Sequence, residues 1–141
     1  EKIRDWRWHA NYRDGRCYVA AKKAMDGKIR NALLHRLVMG ESVPRLDHID
    51  GNTLDNRRCN LRPCTGSQNL MNARPRRGKR SEYKGVSRHS TAEGWRARIK
   101  LNGREMLLGH FISEIDAAKA YDAAARRLFG CFARTNFAQH S

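Results

Sequence analysis

The sequence predicts an α+β chain of two small parts: a strand–loop–strand–helix unit in front, and behind it a three-stranded antiparallel sheet packed on one helix. Three observations predict it. Residues 46–74, LDHIDGNTLDNRRCNLRPCTGSQNLMNAR, crowd small oxygen- and nitrogen-bearing side chains between short apolar runs. Residues 95–101 alternate Trp95, Ala97, Ile99 and Leu101 with Arg96, Arg98 and Lys100, the period-two pattern of a half-buried strand. Asn102-Gly103 follows it as a hairpin turn, and Ile115, Ala118, Ala125 and Leu128 then recur at helical spacing.

With 141 residues the chain holds one ordinary domain or two small ones, and 40% hydrophobic residues place it outside the disordered class. Lys and Arg number 29 against 14 acidic residues, a net charge of +15. Such an excess points to a polyanion, because cations lined along a phosphate track release counterions. Charge alone fits a ribosomal or membrane-surface role as well. No apolar run approaches the ~18 residues of a membrane span, so no membrane partner is expected. There is no signal-peptide pattern, and the expected location is the cytoplasm of a bacterial or phage-infected host cell. The chain starts at Glu1 without Met, which leaves room for a preceding segment. Cys17, Cys59, Cys64 and Cys131 lack the paired spacing of a zinc site and read as small half-buried thiols.

The elements follow in order. Trp6 to Tyr12 and Cys17 to Ala21 form a hairpin across Asp14-Gly15, and a second turn at Asp26-Gly27 leads into Lys28, Ile29 and Arg30. Leu33 to Val38 is a helical segment ending at Gly40, with His35 read as a satisfied packing histidine and Trp6 and Trp8 as core. Leu46 to Asp50 is a strand with His48 and Asp47 on opposite faces, and Asp50-Gly51-Asn52 is turn chemistry. Cys59 to Arg62 is the returning strand, stopped at Pro63. Thr65 or Ser67 caps a helix on which Asn69, Asn72 and Arg76 share a face.

These groups suit hydrolysis of a phosphodiester, which needs an activated water and a cation to neutralise charge on the phosphate and the leaving oxygen. Histidine is the side chain whose charge changes near neutrality, so His48 fits the base. Asp47 is a hard anionic ligand and Asn69 a neutral oxygen ligand, which selects Mg²⁺ or Mn²⁺ over a soft metal. The Asn60 amide orients either the histidine ring or the loop backbone. Asn56 and Asn72 are the competitors for Asn60 and Asn69.

Asp47-His48-Ile49-Asp50-Gly51-Asn52, then Asn60-Leu61-Arg62, then Gln68-Asn69, resembles the HNH nucleases, in the subgroup found in phage and intron-encoded homing endonucleases. Asn60 lies twelve residues after His48 and Asn69 twenty-one, with Asn at the third position where many members have His. The resemblance implies a ββα-metal fold with His48 as general base. It implies Asp47 and Asn69 as ligands of one divalent cation, and Asn60 in support.

Arg74-Pro75-Arg76-Arg77-Gly78-Lys79-Arg80 is a linker whose five cations are expected along DNA phosphates or in the minor groove. Tyr83 to Arg88, Gly94 to Leu101 and Glu105 to Phe111 are the three strands behind it, and Ser113 to Asp116 is a capping box for a helix ending at Gly130. Tyr83-Lys84-Gly85-Val86, Trp95-Arg96-Ala97-Arg98-Ile99, Leu108-Gly109-His110-Phe111, the alanine-rich run 117–125 and Thr135-Asn136-Phe137 resemble the APETALA2/ethylene-response-factor DNA-binding domain over about residues 82–137. That resemblance implies a sheet laid in the major groove, with Lys84, Arg88, Arg96, Arg98 and Lys100 touching DNA. Arg98 stands where plant members carry Glu, and Leu107 where they carry a DNA-touching Trp, so base preference does not transfer.

The expected layout is a nuclease domain at 1–73, a basic linker at 74–81 and a DNA-binding domain at 82–137. The expected function is a site-specific homing or mobile-element endonuclease acting on double-stranded DNA with one Mg²⁺ or Mn²⁺ per site, no small-molecule cofactor, as a monomer or weak dimer. The rival is a DNA-binding transcriptional regulator with an inactive nuclease relic.

Overall fold

A computed structural model describes residues 6–75, 81–89 and 93–138, an α+β chain that divides into two compact units, Glu1–Thr65 and Gly66–Ser141. The division falls inside the stretch read from sequence as one nuclease domain.

In the first unit β1 (Arg7–Arg13), β2 (Arg16–Met25) and β3 (Lys28–Leu33) make a three-stranded antiparallel meander with β2 central. Both turns are the expected ones. Asp14-Gly15 and Asp26-Gly27 take positive φ at both residues, the mirror-image turn whose twist matches the flanking strands. β2 is paired on both edges and carries the buried Ala20 and Ala21, while β1 is exposed almost throughout. Trp6 is buried, with the Lys23 ammonium 5.7 Å from its ring centre. Helix α1 (Leu34–Met39) ends at Gly40, whose φ of 96° a side chain would resist. β4 (Leu46–His48) pairs antiparallel with β5 (Leu61–Pro63), setting Asp47 opposite Arg62 and His48 opposite Leu61.

Here the expected returning strand is shorter. Arg58–Asn60 is a 3-10 turn, because the Asn60 N–H closes on the Arg57 carbonyl at 2.9 Å and not across a ladder. Cys59, exposed in that turn, and exposed Cys131 depart from the half-buried reading that Cys17 and Cys64 fit.

The second unit opens with α2 (Gly66–Asn72), directly after Thr65. Its Met71 packs against the cluster of Ile99, Tyr121, Ala124, Ala125 and Phe129. β6 (Val86–Arg88), β7 (Trp95–Leu101) and β8 (Arg104–Phe111) form an antiparallel sheet in that order, with Asn102-Gly103 at positive φ between the last two. The inward row is as read: Ala97 and Ile99 are buried, flanked by Trp95 and Leu101. β6 begins only at Val86, since Tyr83 to Val86 forms a turn with Gly85 at φ 76°. A side chain at Gly85 would run into the Tyr121 ring and come within 2.7 Å of the Arg98 carbonyl.

Between Ala97 and Arg98 the register slips, Ala97 facing Gly109 while Arg98 faces Leu107. The extra residue on β8 is Leu108, which packs into both apolar clusters. Without this bulge every later side chain of β8 would change faces.

Helix α3 (Glu114–Phe129) starts at Ser113, whose hydroxyl accepts from the Asp116 amide. Its buried stripe is Ala117, Ala118, Tyr121, Ala124, Ala125 and Phe129. Ile115, expected in that stripe, is 49% exposed, because the stripe runs through Ala118 and Tyr121 and leaves the 115 position at its rim.

Candidate functional site

The polar loop of the first unit begins where β4 ends. Asp50 accepts from the Asn52 amide at 2.7 Å, Asn52 from Leu54 at 3.1 Å and Asp55 from Arg57 at 3.2 Å, three successive side-chain turns. The first of these bonds is the main reason the Asp50 carboxyl lies below the usual carboxylate range. Asp55 is drawn down to about 2, chiefly by the Arg57 guanidinium that grips it. Asn60 closes the loop from the other side. Its Oδ1 accepts from the Asp50 amide at 3.1 Å, and its Nδ2 donates to Asp50 Oδ1 and the Asp55 carbonyl, each at 2.9 Å. Thr53 Oγ1 donates to the Cys17 carbonyl and pins the loop to β2.

Asp47, His48 and Asn60 are each buried. Asp47 Oδ2 accepts from Arg62 Nε at 3.0 Å and Nη2 at 2.8 Å across the strand pair. That partner was legible in principle, since opposite charges face each other in the β4–β5 register.

Of the two roles open to Asn60, the structure shows the loop role. The amide on the histidine ring is that of Asn56, its Oδ1 3.3 Å from His48 Nε2, while its Nδ2 donates to the Leu54 carbonyl.

His35 also departs from its reading. It is 9% exposed and its ring lies 5.3 Å from that of His48, nearly perpendicular at 85°, yet its Nδ1 has no hydrogen-bond partner. Burial first, then the neighbouring His48 and Arg36, pushes its pKa down to about 4, so it is neutral at pH 7.

Asn69 sits on α2 and thus in the second unit, as does Asn72, which is buried. Arg74 is exposed. Arg76, Arg77, Lys79 and Arg80 lie outside the described residues.

On the second unit's sheet, Arg96, Arg98 and Lys100 alternate with the buried row of β7 and face away from α3. Arg98 pairs with Glu105 at 2.7 Å and donates to Ser87 Oγ at 3.4 Å. Arg96 Nε is buried without a hydrogen-bond partner. The Arg88 guanidinium lies 5.5 Å from the Trp95 ring centre. Lys84 differs from these. Its ammonium donates to the Leu70 and Met71 carbonyls at the end of α2, and burial lowers its pKa to about 8. To reach a phosphate it would have to leave those carbonyls.

Asp47 offers a carboxylate and Asn69 an amide oxygen, each a hard donor of the kind a small divalent cation takes. Among the described residues no group of three or more His, Cys, Asp or Glu is placed to hold a metal. No helix among them is long and apolar enough to cross a membrane.

No protein-family model matches the chain. It is 32% identical over 114 residues, 78% of its length, to a protein of Acanthamoeba polyphaga mimivirus named an uncharacterized HNH endonuclease. It is 46% identical over 61 residues to dehydration-responsive element-binding protein 2A of Oryza sativa subsp. indica. It is 44% identical over 59 residues to the AP2-like ethylene-responsive transcription factor AIL7 of Arabidopsis thaliana. The plant matches cover 42% and 40% of this chain. The chain spans 58% of the mimivirus protein and 22% and 12% of the two plant proteins. Its homologues thus include an HNH endonuclease and AP2-type transcription factors, the two families its motifs resemble.

Proposed function

We propose that the chain is a site-specific DNA endonuclease of the HNH type joined to an AP2-type DNA-binding module, and that it serves a mobile element. The observation that carries this reading is the buried Asp47–His48 pair, held on a strand hairpin with the Asn56 amide against the His48 ring. His48 takes the proton of the attacking water, and Asn56 holds its ring for that step. Asn60 keeps the loop closed around it. Asp47 and Asn69 hold one Mg²⁺ or Mn²⁺, in the ββα-metal arrangement that the HNH resemblance implies. When bound, the cation supplies charge neutralisation at the phosphate and the leaving oxygen. Arg62, now paired with Asp47, holds that carboxylate in place before a cation arrives.

The second module binds double-stranded DNA through Arg88, Arg96, Arg98 and Lys100, with Lys84 joining only if it leaves α2. The run Arg74, Arg76, Arg77, Lys79 and Arg80 lies along phosphates. Functional limits of 1–73, 74–81 and 82–137 go with this reading. One site per chain cuts one strand, so a double-strand break takes two chains or two visits.

A second reading is a transcriptional regulator with an inactive nuclease half, favoured by the plant relatives, which are named as transcription factors. Incubation with genomic DNA in Mg²⁺ or EDTA separates the two. The endonuclease predicts metal-dependent cuts in wild type, a loss of about 10²- to 10⁴-fold in His48→Ala, and binding kept within a few-fold. Arg96→Ala with Arg98→Ala should weaken binding and lower its salt slope by about 2. Binding without cutting under any condition points to the regulator.

A further inference from the structure

We infer that Lys84 is a positioning residue for Asn69: its ammonium clamps the C-terminal end of α2, and with it the candidate cation ligand, onto the core of the second unit. This rests on the reading of Asn69 as that ligand. The first observation is the clamp itself. Lys84 Nζ donates to the Leu70 carbonyl at 3.3 Å and to the Met71 carbonyl, the two residues that follow Asn69. The second is what α2 lacks. Its last turn holds no basic residue, and a helix of 7 residues leaves most of its carbonyls without an intrahelical partner. Lys84 brings both the donors and the positive charge that such a helix end favours.

The third is that the other end of the clamp is fixed. The Lys84 N–H donates to Asn136 Oδ1 at 2.6 Å, and its carbonyl accepts from Asn136 Nδ2 at 3.2 Å. Asn136 in turn donates to the buried Asp122 carboxylate on α3, from its N–H at 2.8 Å and from Nδ2 at 3.0 Å. One line of hydrogen bonds therefore runs from α3 through Asn136 and Lys84 to α2. Met71 reaches the same core with its side chain, against the cluster of Ile99, Tyr121 and Phe129. A helix this short does not hold its shape alone, so these two attachments set where Asn69 stands. The same geometry separates Lys84 from Arg96, Arg98 and Lys100. A lysine spent on helix carbonyls adds nothing to a phosphate track.

The test uses the full chain with Lys84→Met, which keeps the stem and removes the donors, and Lys84→Arg, which restores them. In the metal-free protein, amide hydrogen exchange at residues 70–73 should quicken about tenfold or more in Lys84→Met and return to within about threefold of wild type in Lys84→Arg. Exchange at residues 97–99 should stay within about threefold in both, which separates a local hold on α2 from general loss of stability. Single-turnover nicking of supercoiled plasmid DNA should need about tenfold more Mg²⁺ for its half-maximal rate in Lys84→Met, with the maximal rate kept within about threefold. The salt slope of plasmid binding should stay as in wild type. If Lys84→Met does not fold, Lys84→Gln, shorter and neutral, carries the comparison. Unchanged exchange at residues 70–73 overturns the inference. So does a salt slope lower by about 1, which makes Lys84 a phosphate contact. A wild type that never nicks DNA but shows the expected exchange leaves the hold on α2 intact and removes the nuclease reading instead.

Discussion

In the first unit the chain between β4 and β5 is closed by amides and carboxylates: Asn60 on Asp50 and Asp55, Asn52 on Leu54, Asn56 on His48. In the second, the sheet is closed by two apolar clusters built on Ile99, Tyr121 and Phe129 and on Val86, Ala97 and Ala118. Apolar packing tolerates exchange of one hydrocarbon for another of similar size, so it holds a shape without dictating each atom. A hydrogen-bonded loop places individual oxygens and nitrogens, and each partner removed leaves another unpaired. The first arrangement suits positioning of reactive groups, and the second suits a platform.

A buried carboxylate departs from that apolar character. Asp122 is 1% exposed and accepts from the Asn136 amide at 2.8 Å, Asn136 Nδ2 at 3.0 Å and the Phe137 amide at 2.9 Å. Asn136 in turn accepts from the Lys84 amide, so one carboxylate ties the chain end to α3 and to the turn before β6.

Acid should break the contrast most strongly, because the first unit carries the buried neutral histidine. His35 has a folded pKa near 4 against 6.5 unfolded, so the unfolded chain binds a proton first as pH falls. Stability from this group is present above pH 6.5 and is lost between pH 6.5 and about 4, by up to about 3 kcal/mol. Urea midpoints should fall over that window in wild type and fall less in His35→Phe. Equal slopes would remove His35 as the cause.

Asp122→Ala is the matching test of the second unit. It removes the acceptor of three part-buried N–H donors, of which Asn136 Nδ2 keeps the Lys84 carbonyl, and should cost about 3 kcal/mol, read as an earlier loss of Trp95 fluorescence signal in a Trp6→Phe, Trp8→Phe background. A shift under about 1 kcal/mol would mean the apolar clusters suffice alone.

The smallest effect sharpens the division inside the loop. Asn60→Ala, which removes three hydrogen bonds from the loop, should cost about 1–2 kcal/mol of stability. Asn56→Ala should cost less stability while lowering cleavage more relative to binding. The reverse order would return the ring-orienting role to Asn60.

Much of this was legible before any coordinates. The Asp-Gly and Asn-Gly pairs place three hairpin turns because only certain residues take positive φ cheaply, a property that needs no neighbours. The alternation of 95–101 and the Ser113 cap are equally local. The spacing of Asp47, His48 and Asn60 named the loop, because the residues that build it lie close in sequence.

Tertiary structure decided the rest. Which asparagine meets His48 depended on Cys59 and Asn60 entering a 3-10 turn, which swings Asn60 onto the Asp50 backbone and leaves the ring to Asn56. The Leu108 bulge, the exposure of Ile115, the capture of Lys84 by α2 and the burial of Asp122 all depend on what packs opposite. His35 against His48 joins residues from two elements separated by the Gly40 turn and the chain that follows it. Local propensity is written residue by residue, whereas a partner across space is chosen only when the chain closes on itself.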